Sequence, residues 1–222
     1  MKYSVAFDLD GTLLDLHVDI ESARAEIATL FAERGYHEPM RPILDAINRA
    51  AATVADTDEE IYPLIIRARR ILDDAEVAAA KTAQPRPGAV AVIERLKKLG
   101  IPLGIVTNNS RACVLPALEV LGFHPQSFAV STRDDVRRPK PAPDGLIRVA
   151  STIAGPGENM WFVGDSPVDI SAAVAANPQV APELRAVAIP GPRSSLQQLR
   201  AAGPCVVFDN LVDAIDRIVQ GT

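Results

Sequence analysis

Val5-Ala6-Phe7-Asp8-Leu9-Asp10-Gly11-Thr12-Leu13-Leu14-Asp15 is the stretch on which the reading of this chain turns. A short apolar run ends in two carboxylates spaced i, i+2, followed by a glycine that suits a sharp turn. Strand alternation points Asp8 and Asp10 the same way if the extended geometry persists. Two like charges at the end of a strand repel one another unless a cation sits between them. The segment therefore asks for a metal, a phosphoryl group, or both.

Outward from this stretch the chain has two textures. Residues 3–8 form one buried strand, and from about 18 to 83 the spacing is helical. Ile20, Ala23, Ile27 and Leu30-Phe31 make one apolar stripe, which Gly35 ends. A second helix is expected over 40–54. A third starts at Asp56-Thr57-Asp58-Glu59-Glu60, where acids suit a first turn. Gln84-Pro85-Arg86-Pro87-Gly88 breaks the pattern and marks a boundary. Beyond it, helices are predicted over 89–99, 111–121, 143–153, 168–176, 194–201 and 211–219. Strands are predicted over 102–106, 127–130, 160–163, 185–189 and 205–208. Such alternation predicts an α/β fold with a doubly wound parallel sheet covered on both faces. The helical block interrupts it, so the expected organisation is a core of 1–16 and 84–222 with a small inserted all-helical domain at 17–83.

Composition narrows the function. The 222 residues are 48% hydrophobic, enough for a sizeable core. A net charge of −5 and 5% aromatic residues argue against nucleic acid as partner. No apolar run approaches the roughly 18 residues of a membrane span, and Met1-Lys2-Tyr3 leads directly into a strand. The expectation is a soluble, cytoplasmic protein with no membrane partner. Cys113 and Cys205, the two cysteines, read as buried structural residues rather than a disulfide framework.

In open parallel sheets, ligands bind beyond the carboxyl ends of the strands. Four such ends carry polar groups here: Asp8 and Asp10; Thr107-Asn108-Asn109-Ser110; Arg137-Arg138-Pro139-Lys140-Pro141; and Gly164-Asp165-Ser166-Pro167-Val168-Asp169. Each has a plain structural reading as well. Gly11 fits a turn, Asn109 or Ser110 caps the 111–121 helix, Asp165 and Asp169 suit a helix start, and Lys140 alone is a surface lysine. Their order along one chain is what the separate readings leave unexplained.

That ordered set resembles the haloacid dehalogenase superfamily. D-L-D-G-T-L-L-D looks like its first motif, T-N-N its second, Lys140 in R-P-K-P its third and G-D-S-P-V-D its fourth. The resemblance implies that the 17–83 block is a cap that closes over the site. It implies a phosphatase, phosphoglycolate phosphatase-like, acting on a small phosphorylated metabolite. Asp8 would be the nucleophile that forms an aspartyl-phosphate. Asp10 would be the general acid and then the base. Lys140 would balance charge. Thr107, Asn108 and the backbone around Gly11 would hold the phosphoryl oxygens. Mg²⁺ would sit among Asp8, the Asp10 main chain, Asp165 and Asp169, hard oxygen donors with no His or Cys cluster beside them.

The chain departs from the pattern at two places. Leu16-His17 stands where a hydroxyl residue commonly follows the first motif. After the fourth, Ala176-Asn177-Pro178-Gln179-Val180-Ala181-Pro182-Glu183 replaces a short Gly-closed helix end, with Asn177 expected in the left-handed conformation. Two rival functions remain at this stage: phosphoryl transfer on a sugar phosphate, β-phosphoglucomutase-like, and a non-catalytic binding protein that keeps the fold. Oligomeric state has no signature in the sequence.

Overall fold

The computed structural model describes residues 3–155, 157–180, 183–192, 194–203 and 205–221. Met1-Lys2 and the Ala181-Pro182 part of the expected longer loop lie outside them. The chain divides into two compact units, 1–16 with 83–222, and 17–82. Ala83 thus packs with the sheet-containing unit.

Six parallel strands form the sheet: β1 (Tyr3–Phe7), β4 (Leu103–Val106), β5 (Ala129–Ser131), β6 (Asn159–Gly164), β7 (Leu184–Ala188) and β8 (Val206–Val207). Their order is β5-β4-β1-β6-β7-β8. Val5, Ala6 and Phe7 are fully buried, as a central strand covered on both faces requires. From β1 the chain steps to β4 and β5 through α4 (Ala89–Lys98) and α5 (Arg111–Leu121). It then crosses back through α6 (Asp144–Ile153) to β6 and moves the other way through α7 (Pro167–Ala176) and α8 (Leu196–Ala201). Right-handed crossovers in opposite directions put helices on opposite faces and open a crevice where the direction reverses, at the carboxyl ends of β1, β4 and β6. One face shows this directly: Leu146 and Val149 of α6, Ile170 and Ala173 of α7 and Leu199 of α8 share a buried cluster with Ala6 and Phe162. The terminal helix α9 (Leu211–Gln220) packs against α4.

The expected boundaries shift where local chemistry intervenes. Pro125–Ser127 form a 3-10 turn capped by His124, so the strand predicted at 127–130 begins at Ala129. Ser195 and Gln198 make a capping box that starts α8 at Leu196. Asn177 is right-handed (φ −50°, ψ −45°) and continues into a 3-10 turn, contrary to the left-handed expectation. Its Oδ1 is committed elsewhere, accepting the Leu184 N–H at 3.0 Å. The Gln84–Pro85 breaker is itself a short strand, β3, antiparallel to β2 (Leu14–Asp15). The chain thus leaves the sheet unit and returns to it side by side, and Arg86 bonds to the Asp15 carboxylate at 3.2 Å. Cys113 is buried as expected, whereas Cys205 is only half-buried.

The second unit holds α1 (Ile20–Ala32), α2 (Ile43–Val54) and α3 (Asp58–Thr82). Its core joins Ala23, Ile27 and Phe31 to Ile47, Leu64 and Leu72. Among the described residues no helix is long and apolar enough to cross a membrane.

Close approach of α6 to β4 depends on missing side chains. A Cβ on Gly104 would lie 2.4 Å from Val149 Cγ1, and one on Gly145 would lie 2.9 Å from Val106 Cγ1. Overpacking of this kind costs about 1–3 kcal/mol. Gly104→Ala should therefore lower the urea midpoint by that equivalent, and an unchanged midpoint would contradict the packing described.

Candidate active site

Asp8 follows directly on β1, and its N–H donates to the Val163 carbonyl of β6 at 2.9 Å. The chain then turns, with the Leu9 carbonyl accepting the N–H groups of Leu13 and Leu14, both at 3.0 Å. Gly11 takes φ 92°, a conformation suited to glycine. Its N–H, expected on the substrate, donates here to the Leu14 carbonyl at 2.7 Å. A Cβ there would come within 2.2 Å of Asp165 Oδ2. Asp10 lines the same cavity as Asp8, and its Oδ1 accepts the Leu16 N–H at 3.0 Å.

Lys140 is the hub. Its Nζ donates to Asp8 Oδ1 at 2.6 Å, Asp169 Oδ1 at 2.6 Å and the Val106 carbonyl at 2.8 Å, and it lies 5.5 Å from the centre of the Phe162 ring. At 7% exposure it is no surface lysine. Burial alone would favour the neutral amine, but the carboxylates of Asp169 and Asp8 outweigh it and hold Lys140 charged, above its ordinary range.

Asp169 serves two masters. Oδ1 meets Lys140, while Oδ2 accepts the Ser166 N–H at 3.1 Å and its hydroxyl at 2.5 Å. The helix-start role and the site role thus occupy different oxygens of one carboxylate. Asp165 sits between glycines: a Cβ on Gly191 would lie 1.7 Å from its Oδ2, and the Thr12 hydroxyl donates to its Oδ1 at 3.4 Å.

Asp8, Asp165 and Asp169 each bring an oxygen within 4.8 Å of the others. With all three ionised, three carboxylates around one ammonium leave two negative charges in excess, which suits a divalent cation, and oxygen donors suit a hard one. The Asp10 carboxylate is not part of this cluster. With protein groups alone, burial, then Asp169 and Asp165, push the Asp8 carboxyl up to about 8 against the pull of Lys140.

The loop after β4 completes the cavity, which has a volume of about 300 Å³. The Thr107 hydroxyl donates to Asn109 Oδ1 at 2.7 Å and accepts the Asn109 N–H at 3.1 Å. The Asn108 carboxamide, expected to hold phosphate, grips the Lys140 main chain. Nδ2 donates to the Lys140 carbonyl at 2.8 Å and Oδ1 accepts its N–H at 2.9 Å. Ser110 caps α5 by accepting the Cys113 N–H. His17 is exposed and belongs to the helical unit. A larger groove of about 540 Å³, lined by Trp161, Leu184 and Val206 toward the other ends of the strands, holds none of these groups.

Residues 4–177 match the model of the haloacid dehalogenase-like hydrolases. The chain belongs to this family. It is 35% identical over 195 residues to the phosphoglycolate phosphatase of Escherichia coli O157:H7, covering 78% of this chain and 77% of that protein. The Salmonella typhi phosphoglycolate phosphatase is 34% identical over the same length. Among solved structures, a hydrolase from Pseudomonas syringae superposes with a TM-score of 0.71 at 24% identity, covering 100% of both chains. CbbY from Rhodobacter sphaeroides, solved in complex with phosphate, gives a TM-score of 0.63 at 23% identity over 95% of each. The fold is therefore that of haloacid dehalogenase-like hydrolases, and this member is a phosphatase.

The motifs of this hydrolase lead to Asp8, Asp10, Thr107, Asn108, Lys140, Asp165 and Asp169, all of which line one cavity. Sequence reasoning missed Gly191 and Thr12 beside Asp165. Thr12 lay inside the first motif and was open to notice, whereas Gly191 follows β7 with no motif around it.

Two outcomes are expected. Gly191→Ala must displace Asp165, so divalent-cation affinity measured by calorimetry should fall about 10- to 100-fold. Stability should also depend on pH. The folded chain keeps the Asp8 proton up to about 8, whereas the unfolded chain releases it near the ordinary 3.8. In EDTA the protein should therefore lose stability as pH rises from about 4 through about 8. In thermal melts Asp8→Asn should flatten that slope.

Proposed function

We propose that this phosphatase hydrolyses a small phosphate monoester in the cytoplasm by passing the phosphoryl group to Asp8 and then to water, with Mg²⁺ as cofactor. The observation that carries the reading is the 2.6 Å contact of Lys140 with Asp8, inside a cluster of acids at the sheet's switch point. A phosphate monoester repels ordinary nucleophiles, and its uncatalysed hydrolysis is among the slowest known. Lys140 orients the Asp8 carboxylate and offsets charge as an anion approaches.

An Asp8 oxygen attacks phosphorus, the phosphorus–oxygen bond of the ester breaks, and Asp10 gives the departing oxygen a proton. Water then attacks the aspartyl-phosphate, Asp10 takes back a proton, and Asp8 leaves as a carboxylate together with phosphate. The Leu16 N–H on Asp10 Oδ1 keeps that carboxyl in place for both transfers. The Thr107 hydroxyl, once its proton turns from Asn109 Oδ1 to the substrate, and the Asn108 main-chain N–H are the proposed donors to the phosphoryl oxygens. Asp8 and Asp165, with the Asp10 main-chain oxygen, would hold Mg²⁺; Asp169 would support it from behind, since both its oxygens are engaged. When bound, the cation would neutralise charge on the phosphoryl group.

The named relatives make phosphoglycolate the first substrate to try, and the modest cavity favours a small ester over a phosphoprotein. A screen of phosphorylated metabolites, with Mg²⁺ or with EDTA, tests the reading. Phosphate release should need the metal, and Asp8→Asn should lower it by at least about a thousandfold. Equal release from the variant would overturn Asp8 as nucleophile.

A further inference from the structure

Arg133 lies outside the four motifs, at the start of the turn after β5, and is 5% exposed. Its Nη1 donates to the Asn108 carbonyl at 3.0 Å, and its own N–H donates to the Asn109 carbonyl at 3.3 Å. The same turn grips the loop again further on: Asp134 Oδ2 accepts the Arg111 N–H at 2.8 Å, and Asp135 pairs with the Arg111 guanidinium. A guanidinium is costly to bury, and a buried one needs a structural or functional reason.

The peptide that Arg133 holds joins Asn108 to Asn109, and two site groups hang from it. On one side, the Asn109 N–H of that peptide donates to the Thr107 hydroxyl oxygen at 3.1 Å, which sets where the hydroxyl proton can point. On the other, the Asn108 carboxamide clamps both main-chain polar groups of Lys140. A side chain at 133 thus reaches both Thr107 and Lys140 through one peptide. A shift of that peptide would move the Asn109 N–H and the Asn108 side chain together, because both are attached to it covalently.

We infer that Arg133 is a positioning residue for phosphoryl binding, acting through the Asn108–Asn109 peptide on Thr107 and Lys140 together. The inference rests on the phosphatase reading above, and it makes the phosphate-binding loop and the lysine loop one unit.

Arg133→Met keeps an apolar stem and removes the donors; Arg133→Lys keeps the charge and one route to the Asn108 carbonyl. Arg95→Met, which breaks the half-exposed pair of Arg95 with Asp216 between α4 and α9, is the control. Inorganic phosphate, titrated by calorimetry in Mg²⁺, gives a readout independent of turnover. Arg133→Met should bind phosphate at least about tenfold more weakly than the wild type. Its kcat on p-nitrophenyl phosphate should fall by a similar or larger factor, as for loss of a preorganised donor. Arg133→Lys should recover part of both, and the control should match the wild type. If Arg133→Met melts earlier yet binds phosphate and turns over as the wild type does at a temperature where both are folded, Arg133 is merely structural and the inference fails. A wild type that releases no phosphate from any ester would sink the phosphatase reading alone, because the phosphate titrations still decide the role of Arg133.

Discussion

A buried ammonium shared by two carboxylates is the constraint on which the site depends. Taking Lys140 out of water is unfavourable, and so is crowding Asp8, Asp165 and Asp169 together. Each of these costs is tolerable only beside the other. Lys140 meets Asp8 and Asp169 at 2.6 Å each and spends its third proton on the Val106 carbonyl. Removing either kind of charge would strand the other in a poorly solvated place. With all three acids ionised, excess negative charge still remains after the lysine is counted, a charge balance that suits a cation.

The sheet makes that arrangement possible. β1, β4 and β6 lie side by side, so Asp8, Thr107 and Asp165 emerge at neighbouring strand ends although they are distant in sequence. Crowding is then tuned by residues that have no side chain. Gly11 and Gly191 close on Asp165, and a Cβ on Gly164 would lie 2.4 Å from that of Asp169. The acids approach as closely as they do because the backbone around them has been pared down.

Much of this was legible in the chain. The continuous apolar run before Asp8 announces a central parallel strand, and the polar ends that follow later strands announce the chemistry. Alternating helices and strands give the wound sheet, and the helical stripe of residues 20–31 gives the inserted unit. What escaped has physical reasons. Asn177 has the left-handed option in principle, but its side chain is recruited by Leu184, and a proline follows it. Asn108 is a good phosphate donor by residue type, and its residue type alone does not announce that its carboxamide also bonds the Lys140 main chain. Gly191 and Arg133 are common residues in plain surroundings, and only folding shows that one crowds Asp165 and the other holds the peptide between Asn108 and Asn109.

The most direct test of the account is a crystal structure of the protein grown with Mg²⁺ and beryllium fluoride, a mimic of a phosphoryl group attached to a carboxylate. The account predicts density continuous with an Asp8 oxygen, within hydrogen-bonding reach of Lys140 Nζ, with the cation between Asp8 and Asp165. Fluoride density on any other residue, or free in the cavity and away from Lys140, would contradict it.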